Sequence, residues 1–581
     1  MDASPPYTST RERLITVAET IAPYAAEFLG TFFVVFTVGC NTISGNHTWM
    51  PTSISFAVMV VMYATATVSG GHLNPALSLA FGLSRKLGWH RVWGYLISQF
   101  AAGLLAGYIT TALLSEPIMV GPKEGFNWLD SLIVELVYSS TFCFVALNCM
   151  ASLRNNPKTD RNQFFALAVG FVGIAGGHTT GEISGAFFNP AVTLGFGFNS
   201  GTVGQRAWTL LYAGYQFAGA VAATLLFFLV RPEELAALGV TGDGLDLKRA
   251  FGALSFCSNR GKPSMDERWS EETWCSQLEG YRVPFPARVL AEFIGTYVVV
   301  FTFGLSTIII STGAYETGAT PSLNASSPVL AAHMMTETEM LARYHAGERF
   351  DRDMPTLMAP TSSTVSWATG AAVLCMAYSL MNVSGGHFNP AVTLAAICTG
   401  SCGSGRRRCR LVEGGFFMLA QAGAGIAAAL SYVPVHRGNS LVNSRRVVDL
   451  GPKPGYGWPS VAVGETVFTM AVALSVLCMT TVRDPRYPKA PTPRSFHFAF
   501  AIGMCVTAGG FALEGITGGL LNPAVSLGVS CANIMGSGFE VGSRTGYFLY
   551  YLIWQMLGGV LAAVVFRMSH PLEYKEDPLL Q

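Results

Sequence analysis

Charged residues are scarce in this chain of 581 residues. They make up 12% of it, whereas an ordinary soluble domain carries roughly 25%, and half of the residues are hydrophobic. This composition excludes a soluble enzyme. An excess of either charge is lacking too, because 36 Lys and Arg stand against 35 Asp and Glu. The sequence therefore offers no basic surface for nucleic acid, which we exclude as a partner.

Cysteine patterns and a leader peptide are also lacking. The twelve Cys are scattered, with neither a CxxC pair nor a disulfide framework. The first twenty residues have no short apolar core of the kind that a cleavable signal contains, so we expect the first membrane helix to direct insertion. Glycine, in contrast, is abundant at 63 residues, which fits membrane helices that pack closely through small residues.

Long apolar runs are the main feature of the sequence. Twelve of them approach the roughly 20 residues that a membrane helix needs, and they form two sets of six. The first set lies at 21–42, 51–68, 91–114, 131–151, 162–178 and 206–230, and the second at 286–312, 362–383, 411–433, 460–482, 496–511 and 544–567. Residues 231–285 between the sets are rich in charge and turn formers, as is typical of a solvated linker. The predicted parts are a tail at 1–20, a first unit at 21–230, a linker at 231–285, a second unit at 286–567 and a tail at 568–581.

The two units are copies of one another. AEFLGT at 26–31 returns as AEFIGT at 291–296, and SGGHLNPA at 69–76 returns as SGGHFNPA at 384–391. The change of offset between these landmarks predicts an extra loop of about 50 residues at 313–361. Because each copy has an even number of helices, both copies are expected to face the same way, with the tails and the linker on one side.

Positive charge predicts which side that is. Short loops on the face of the termini carry Arg85, Lys86, Arg91, Arg154, Lys158, Arg161, Arg406, Arg407, Arg408, Arg410, Arg483, Arg486, Lys489 and Arg494. By the positive-inside rule this face is cytosolic. The glycosylation candidates Asn46 and Asn324 then lie on the opposite face, whereas the basic stretch 434–458, also expected there, does not follow the rule.

Asn-Pro-Ala occurs four times, twice in each copy, each time before an apolar run too short to span a bilayer. The motifs are Asn74-Pro75-Ala76, Asn189-Pro190-Ala191, Asn389-Pro390-Ala391 and Asn522-Pro523-Ala524. Asn is a preferred N-cap and Pro suits the first helical position, so each motif predicts the start of a half-helix. A single copy would be equally consistent with a simple turn, but four copies at matching places favour the half-helix.

Half-helices within a membrane predict a pore. Their free backbone groups are tolerated only where they are buried in protein or line a watery cavity. If the two half-helices of a copy enter from opposite faces, their positive ends meet near the midplane and repel cations. The Asn side chains would then donate hydrogen bonds to water in the lumen.

These features resemble the aquaporin, or major intrinsic protein, family over both copies almost end to end. The resemblance implies two tandem aquaporin-like bundles, each with six transmembrane helices and two half-helices, and thus twelve transmembrane helices in total. It also implies that Glu27, Glu135, Glu292 and Glu465 are buried structural residues that accept hydrogen bonds from the pore loops. We expect His72 and His387 to pack and hydrogen-bond rather than to bind metal, because no further ligand has suitable spacing.

The resemblance identifies a selectivity filter that departs from the usual one. Most water-selective members have Arg three residues after the second Asn of each unit, whereas this chain has Val192 and Val525, as plant vacuolar members have Val. Family spacing gives the other filter positions as Ile54, Gly177 and Ala186 in the first unit and Thr369, Gly510 and Gly519 in the second. A register shift of one residue would replace the two helix glycines by His178 and Phe511. Small, apolar residues predict a wide filter of low selectivity.

The expected function is a passive channel for water and small neutral solutes, with one pore in each unit and no cofactor. Thr193 and Ser526 stand where aquaglyceroporins have Asp, so glycerol stays open beside urea, ammonia and hydrogen peroxide. One alternative is a coupled secondary transporter. A second is a non-conducting structural protein, if Phe187, Phe188, Leu520 and Leu521 block a pore. No arrangement of nucleophile and base, and no cofactor motif, suggests an enzyme.

The expected assembly is a homodimer of two chains that forms a four-pore pseudo-tetramer in the plasma membrane or in an internal or vacuolar membrane. Small residues on two helices are candidates for contacts between units, although packing within a unit explains them equally well. They are Ala101, Ala102, Gly103 and Ala106, with Ala422, Gly423, Ala424 and Gly425 in the second copy.

Overall fold

The computed structural model is helical, with no strand in the residues that it describes. These are 10–44, 48–114, 118–123, 125–156, 162–199, 202–237, 283–314, 363–400, 411–438, 450–453, 455–482, 497–536 and 546–570. The candidate sites Asn46 and Asn324, nearly all of the predicted loop at 313–361 and most of the predicted linker lie outside the described residues.

The first unit consists of six long helices and two short ones, followed by a helix of six residues. They are α1 (Thr10–Ser44), α2 (Met50–Thr65), α3 (Pro75–Leu83), α4 (Trp89–Leu114), α5 (Trp128–Ala146, continued by a π-helical turn at Leu147–Ala151), α6 (Phe165–Ser184), α7 (Pro190–Gly197), α8 (Val203–Val230) and α9 (Pro232–Ala237). The short helices α3 and α7 begin at the Asn-Pro-Ala motifs.

The second unit repeats this order. Its helices are α10 (Phe285–Ala314), α11 (Ser363–Ser384), α12 (Pro390–Thr399), α13 (Leu411–Gly438), α14 (Trp458–Thr481), α15 (His497–Leu513), α16 (Pro523–Gly536) and α17 (Tyr547–Ser569). The half-helices α12 and α16 again begin at the motifs.

Nine helices of the described residues are long and apolar enough to cross a membrane, so the chain is a multi-pass membrane protein. The other three long helices, α2, α6 and α15, have 16, 20 and 17 residues and fall outside that set. The count of twelve spans therefore stays a prediction.

Two helix bounds differ from the predicted parts of the chain. The helix α1 begins at Thr10, inside the predicted tail at 1–20, whereas the part of it that is apolar enough to cross a membrane begins at Val17. The start of the predicted linker at 231–285 is helical and buried rather than solvated, since Arg231, Glu233 and Glu234 are each at most 1% exposed.

Helices within each unit pack in matching pairs. In the first unit α1 lies against α4, α2 against α6 and α5 against α8, while α7 packs on α4 and α3 on α8. A methyl group added at Gly103 of α4 would collide with the carbonyl oxygen of Ala191 in α7, and Gly425 meets Ala524 in the same way. These glycines therefore serve packing within a unit rather than contacts between units.

The two units contact each other directly. Helices α10 and α11 of the second unit pack on α5 and α6 of the first. The Tyr378 ring stacks on Phe164 with centroids 4.4 Å apart, and the hydroxyls of Tyr138 and Thr302 lie 3.0 Å apart. The contact thus combines apolar packing with buried hydrogen bonds.

Candidate functional site

Each Asn-Pro-Ala motif caps its own half-helix. The Oδ1 atom of Asn74 accepts a hydrogen bond of 2.9 Å from the backbone N–H of Ala76, and Pro75 takes the first helical position. The caps at Asn189, Asn389 and Asn522 are alike, each with a bond of 2.9 Å. Asn satisfies a backbone donor that would otherwise stay free, and Pro brings no donor there.

The same Asn side chains join the two half-helices of a unit tip to tip. The Asn74 amide donates to the Phe188 carbonyl, and the Asn189 amide donates to the Leu73 carbonyl, both at 3.0 Å. In the second unit, Asn389 donates to the Leu521 carbonyl at 3.0 Å and Asn522 to the Phe388 carbonyl at 2.9 Å. An Asn amide has two N–H donors, so one remains on each side chain.

The residue before each Asn has an unusual backbone. Leu73, Phe188, Phe388 and Leu521 have φ between 48° and 54°, a left-handed conformation that bulky residues rarely adopt. It lets the N–H of each residue reach a buried carboxylate while its carbonyl accepts the opposite Asn. Such strain persists only where the surroundings hold it in place.

The four repeated glutamates supply those carboxylates. Glu135 is fully buried, and its two oxygens accept from the Ser184 hydroxyl at 2.6 Å, the Phe187 N–H at 3.0 Å and the Phe188 N–H at 2.9 Å. The equivalent sets around Glu27, Glu292 and Glu465 have the same pattern. Each carboxylate therefore holds the strained loop that leads into a half-helix.

A glutamine that sequence reasoning missed completes each set. Gln216 Nε2 donates to Glu135 at 3.0 Å and to the Thr193 hydroxyl at 2.9 Å. The partners of Glu27, Glu292 and Glu465 are Gln99, Gln421 and Gln555. Gln is the one polar residue at a matching place in four apolar helices, and comparison of the copies would have found it.

The repeated histidines and the residues after Val lie in this scaffold. His72 Nδ1 is 3.2 Å from the Ser78 hydroxyl and His387 Nδ1 is 3.2 Å from that of Thr393. Thr193 and Ser526 are fully buried and contact Gln216 and Gln555. These two hydroxyls therefore serve the scaffold that carries the loops.

A cavity of about 250 Å³ leads from the paired Asn residues to one surface of the first unit. Asn74 and Asn189 line it together with all four predicted filter residues, Ile54, Gly177, Ala186 and Val192. Lys123 and Glu182 also line the cavity. The sequence analysis did not expect charged side chains there. The structure thus brings the filter and motif residues of this unit to one space.

In the second unit the corresponding residues are buried or half-buried. Thr369 donates its hydroxyl to the Val365 carbonyl at 2.8 Å, which leaves it without a free donor. Gly510 lies against Ser366, so any side chain there would collide with it. Gly519 has φ +62° and Val525 is buried.

The alternative filter register places His178 in the first unit and Phe511 in the second, and the surroundings of these two residues differ. His178 lines the cavity, and its Nε2 is 2.8 Å from the Thr52 hydroxyl. Phe511, its counterpart, is 47% exposed. Gly177 also lines the cavity and lies against Pro51, so the lumen of the first unit meets both candidates.

The bulky residues near the motifs are mostly buried. The Phe188 ring packs on Tyr138 with centroids 5.3 Å apart, and Leu520 and Leu521 are buried. Phe187 and Phe188 both line the cavity, and the Phe187 ring packs against Tyr212.

A charged cluster ties the loops at the other end of the first unit. Lys86 Nζ is 2.7 Å from Glu234, which also accepts the Leu153 N–H at 2.7 Å. Arg231 donates to Asn148 and to the Ser379 carbonyl of the second unit. Burial lowers the pKa of the Arg231 guanidinium, and the neighbouring Glu233 and Glu234 oppose that shift. The loops after α3 and α5 and the segment after α8 therefore share one face.

A carboxylate distinguishes the second unit at a position that lines the cavity in the first. Gly181 lines the cavity of the first unit, with open space where a Cβ would be. Eight residues before Asn522, the same position is Glu514, which accepts from the Ser366 hydroxyl at 3.4 Å. Alignment of the copies on their second Asn shows this difference, which the sequence analysis missed.

Comparisons with known proteins agree over most of the chain. The model of the major intrinsic protein family matches residues 15–179, 124–253 and 279–566. Aquaporin NIP1-3 of Oryza sativa subsp. japonica is 31% identical over 216 residues, which are 36% of this chain and 72% of that protein. Aquaporin NIP1-4 of the same species is 30% identical over 231 residues, 38% of this chain and 78% of that protein. The X-ray structure of the aquaglyceroporin from Plasmodium falciparum is 16% identical and covers 50% of this chain and 99% of its own, with a TM-score of 0.35.

Proposed function

Because the chain belongs to the major intrinsic protein family, a family of channels rather than enzymes, we propose that each of its two units is a passive pore for water and small neutral solutes. One observation carries this proposal. In both units, two half-helices meet tip to tip through Asn side chains that each keep one N–H donor. In the first unit these side chains line a cavity that opens to the surface.

The same geometry supports exclusion of protons and other cations. Each half-helix directs its positive end, equivalent to about half a charge, at the meeting point. A water molecule there accepts hydrogen bonds from two fixed donors, so both of its lone pairs are occupied. It cannot accept a proton from a neighbouring water, and the proton relay is interrupted.

The filter residues support a broad choice of neutral solutes. Ile54, Gly177, Ala186 and Val192 bring neither a charge nor a side-chain donor, so little discriminates against solutes somewhat larger than water. We propose that urea, ammonia and hydrogen peroxide pass beside water, with glycerol as a further candidate. Lys123 and Glu182 also line this cavity and bring charged side chains to it.

The two alternatives have less support. A coupled transporter needs ionisable groups that can change their protonation or bind an ion, whereas the four buried glutamates are occupied by the loop donors. A non-conducting structural protein needs a blocked lumen, and three of the four bulky residues beside the motifs are packed in the core.

Flux into proteoliposomes tests the proposal. Stopped-flow measurements should show water and urea permeability above that of protein-free vesicles, linear in solute concentration and independent of ion gradients, with no added proton permeability. Saturation at low solute concentration, or dependence on a sodium or proton gradient, would support the transporter. Permeability equal to that of empty vesicles would support the structural protein.

We also propose that two chains form a four-pore dimer. Three exposed residues of α2, Phe56, Val60 and Tyr63, are 47%, 64% and 43% exposed. Their counterparts Ala371, Cys375 and Tyr378 in α11 are at most 1% exposed, because α11 packs on the first unit. The α2 face is therefore an uncovered copy of a face that is covered within the chain.

The face on which α11 packs also has an equivalent in the other unit, and that equivalent is exposed. The first unit covers its α5 and α6 with the second unit, whereas the equivalent helices α14 and α15 expose Val463, Val467, Phe500 and Phe511. A second chain related by a twofold axis would place each free α1–α2 face on a free α14–α15 face and close a ring of four units. We propose that both tails and the charged cluster around Arg231 lie on the cytosolic side.

A further inference from the structure

A chain of hydrogen bonds connects the second unit to the cavity of the first. The indole N–H of Trp367, in α11, donates to the Thr52 hydroxyl oxygen at 3.2 Å. That hydroxyl lies 2.8 Å from Nε2 of His178, and the His178 ring lines the cavity of the first unit. Three residues on three helices thus join the two units at the mouth of one pore.

The chemistry of Trp determines the direction of this chain. An indole N–H can only donate, so Thr52 must accept from Trp367. Nε2 of His178 is the other group near Thr52 Oγ1 within the described part of the chain. Because Nε2 is the acceptor within reach of the hydroxyl proton, we assign Thr52 as the donor to His178, and a neutral His178 that accepts at Nε2 carries its proton on Nδ1.

We propose that Trp367 of the second unit is a positioning residue for the first pore, which fixes the ring and tautomer of His178 through Thr52 and so sets the preference of that pore between water and hydrogen-bonding solutes. The fixed Nδ1–H is a donor that suits the carbonyl oxygen of urea. This inference rests on the proposed function, because it assigns a role in selectivity to the pore of the first unit.

Among the described residues, the two units do not share this connection. The counterpart of His178 is Phe511, which cannot hydrogen-bond, and the counterpart of Trp367 is Thr52 itself. The pore of the second unit therefore lacks this control. The two pores of one chain differ, and the first depends on its neighbour.

A double-mutant cycle tests the proposal. Trp367→Phe keeps an aromatic ring against Phe171, whose centroid lies 5.8 Å from that of Trp367, and removes the N–H donor together with part of the indole. We expect it to lower the ratio of urea to water permeability about threefold, in the range of coupling through a shared hydrogen-bond network. In a His178→Phe background, the same substitution should change the ratio little.

Two further variants separate the relay from packing. Thr52→Ser keeps the hydroxyl and should retain the wild-type ratio, whereas Thr52→Val should match Trp367→Phe. An equal effect of Trp367→Phe with and without His178 would overturn the proposal, since the residue would then act through its own unit or through packing. Absence of any effect of Trp367→Phe would overturn it as well.

A spectroscopic measurement is independent of flux. Solid-state NMR of protein with ¹⁵N-labelled histidine, with His178→Phe as the subtraction control, should show an Nδ1-protonated ring in the wild type and a mixture in Trp367→Phe. An Nε2-protonated ring in the wild type would contradict the relay. A wild type with this tautomer but without urea or water flux would instead contradict the proposed function.

Discussion

At the scale of single residues, the proposed filter has Val192 and Val525 where most water-selective members of the family are expected to have Arg. Val192 is buried beside the cavity, and a guanidinium there would occupy the lumen and offer several fixed donors. We expect Val192→Arg with Val525→Arg to reduce urea and glycerol permeability far more than water permeability. Val192→Leu with Val525→Leu is the matched control for bulk without charge. An equal loss of all solutes in the Arg variant would place the filter elsewhere.

Stability at this scale depends on the buried carboxylates. Glu135→Ala would leave two backbone donors, a hydroxyl and the Gln216 amide without their acceptor. We expect a loss of about 3 kcal/mol or more in the free energy of unfolding, since each buried donor left unsatisfied costs roughly 1 to 3 kcal/mol. Thermal unfolding in detergent measures it. Glu182→Ala, at an exposed carboxylate of the same unit, should unfold like the wild type, and equal effects of both changes would refute this account.

At the scale of helices, close approach between α4 and α7 requires glycine. Gly103→Ala should destabilise by about 1 to 3 kcal/mol, because its methyl group meets the Ala191 carbonyl and the neighbours must move. Gly214→Ala in α8 has open space around the new methyl and should stabilise by about 0.5 to 1 kcal/mol. Chemical unfolding of the two variants checks the opposite signs, and the same sign for both would contradict the packing argument.

How much of this could be predicted from the sequence also differs between elements. The tandem aquaporin-like fold was predicted and is confirmed, because each half-helix has a local signal in Asn and Pro and because four repeats remove the ambiguity of one. The Gln partners were missed since an isolated Gln in an apolar helix has no local pattern. Burial of Arg231 was missed because its partners, Asn148 and Ser379, lie far away in sequence.

Contacts between units were the least predictable feature. Gly103 and Gly425 were equally consistent with packing within a unit or between units, and the structure assigns them to packing within a unit. The contact between the units is made by Tyr138, Phe164 and Tyr378. No pattern in the sequence separates these residues from other aromatic residues of membrane helices. Only the comparison of equivalent positions, one covered and one exposed, identifies this face.

At the scale of the whole molecule, the uncovered faces predict a dimer of chains. The mass of the detergent-solubilised protein, after subtraction of bound detergent, should be close to twice 62.0 kDa. Val60→Lys should favour the monomer, because it places a charge at the proposed contact. The control is Leu210→Lys, which places the same charge on an exposed face of α8 outside the proposed contact. This variant should leave the dimer intact. A wild-type monomer, or a particle of four chains, would contradict the twofold ring.

The central claim is that each unit contains its own pore, and separate inactivation of the two units tests it most directly. Asn189→Asp and Asn522→Asp each replace an amide donor at the meeting point of the half-helices by a carboxylate acceptor. Water permeability per chain in proteoliposomes should fall partly with either change and almost completely with both. If one change alone removes all permeability while the other leaves it unaltered, the chain has a single pore and the account is wrong.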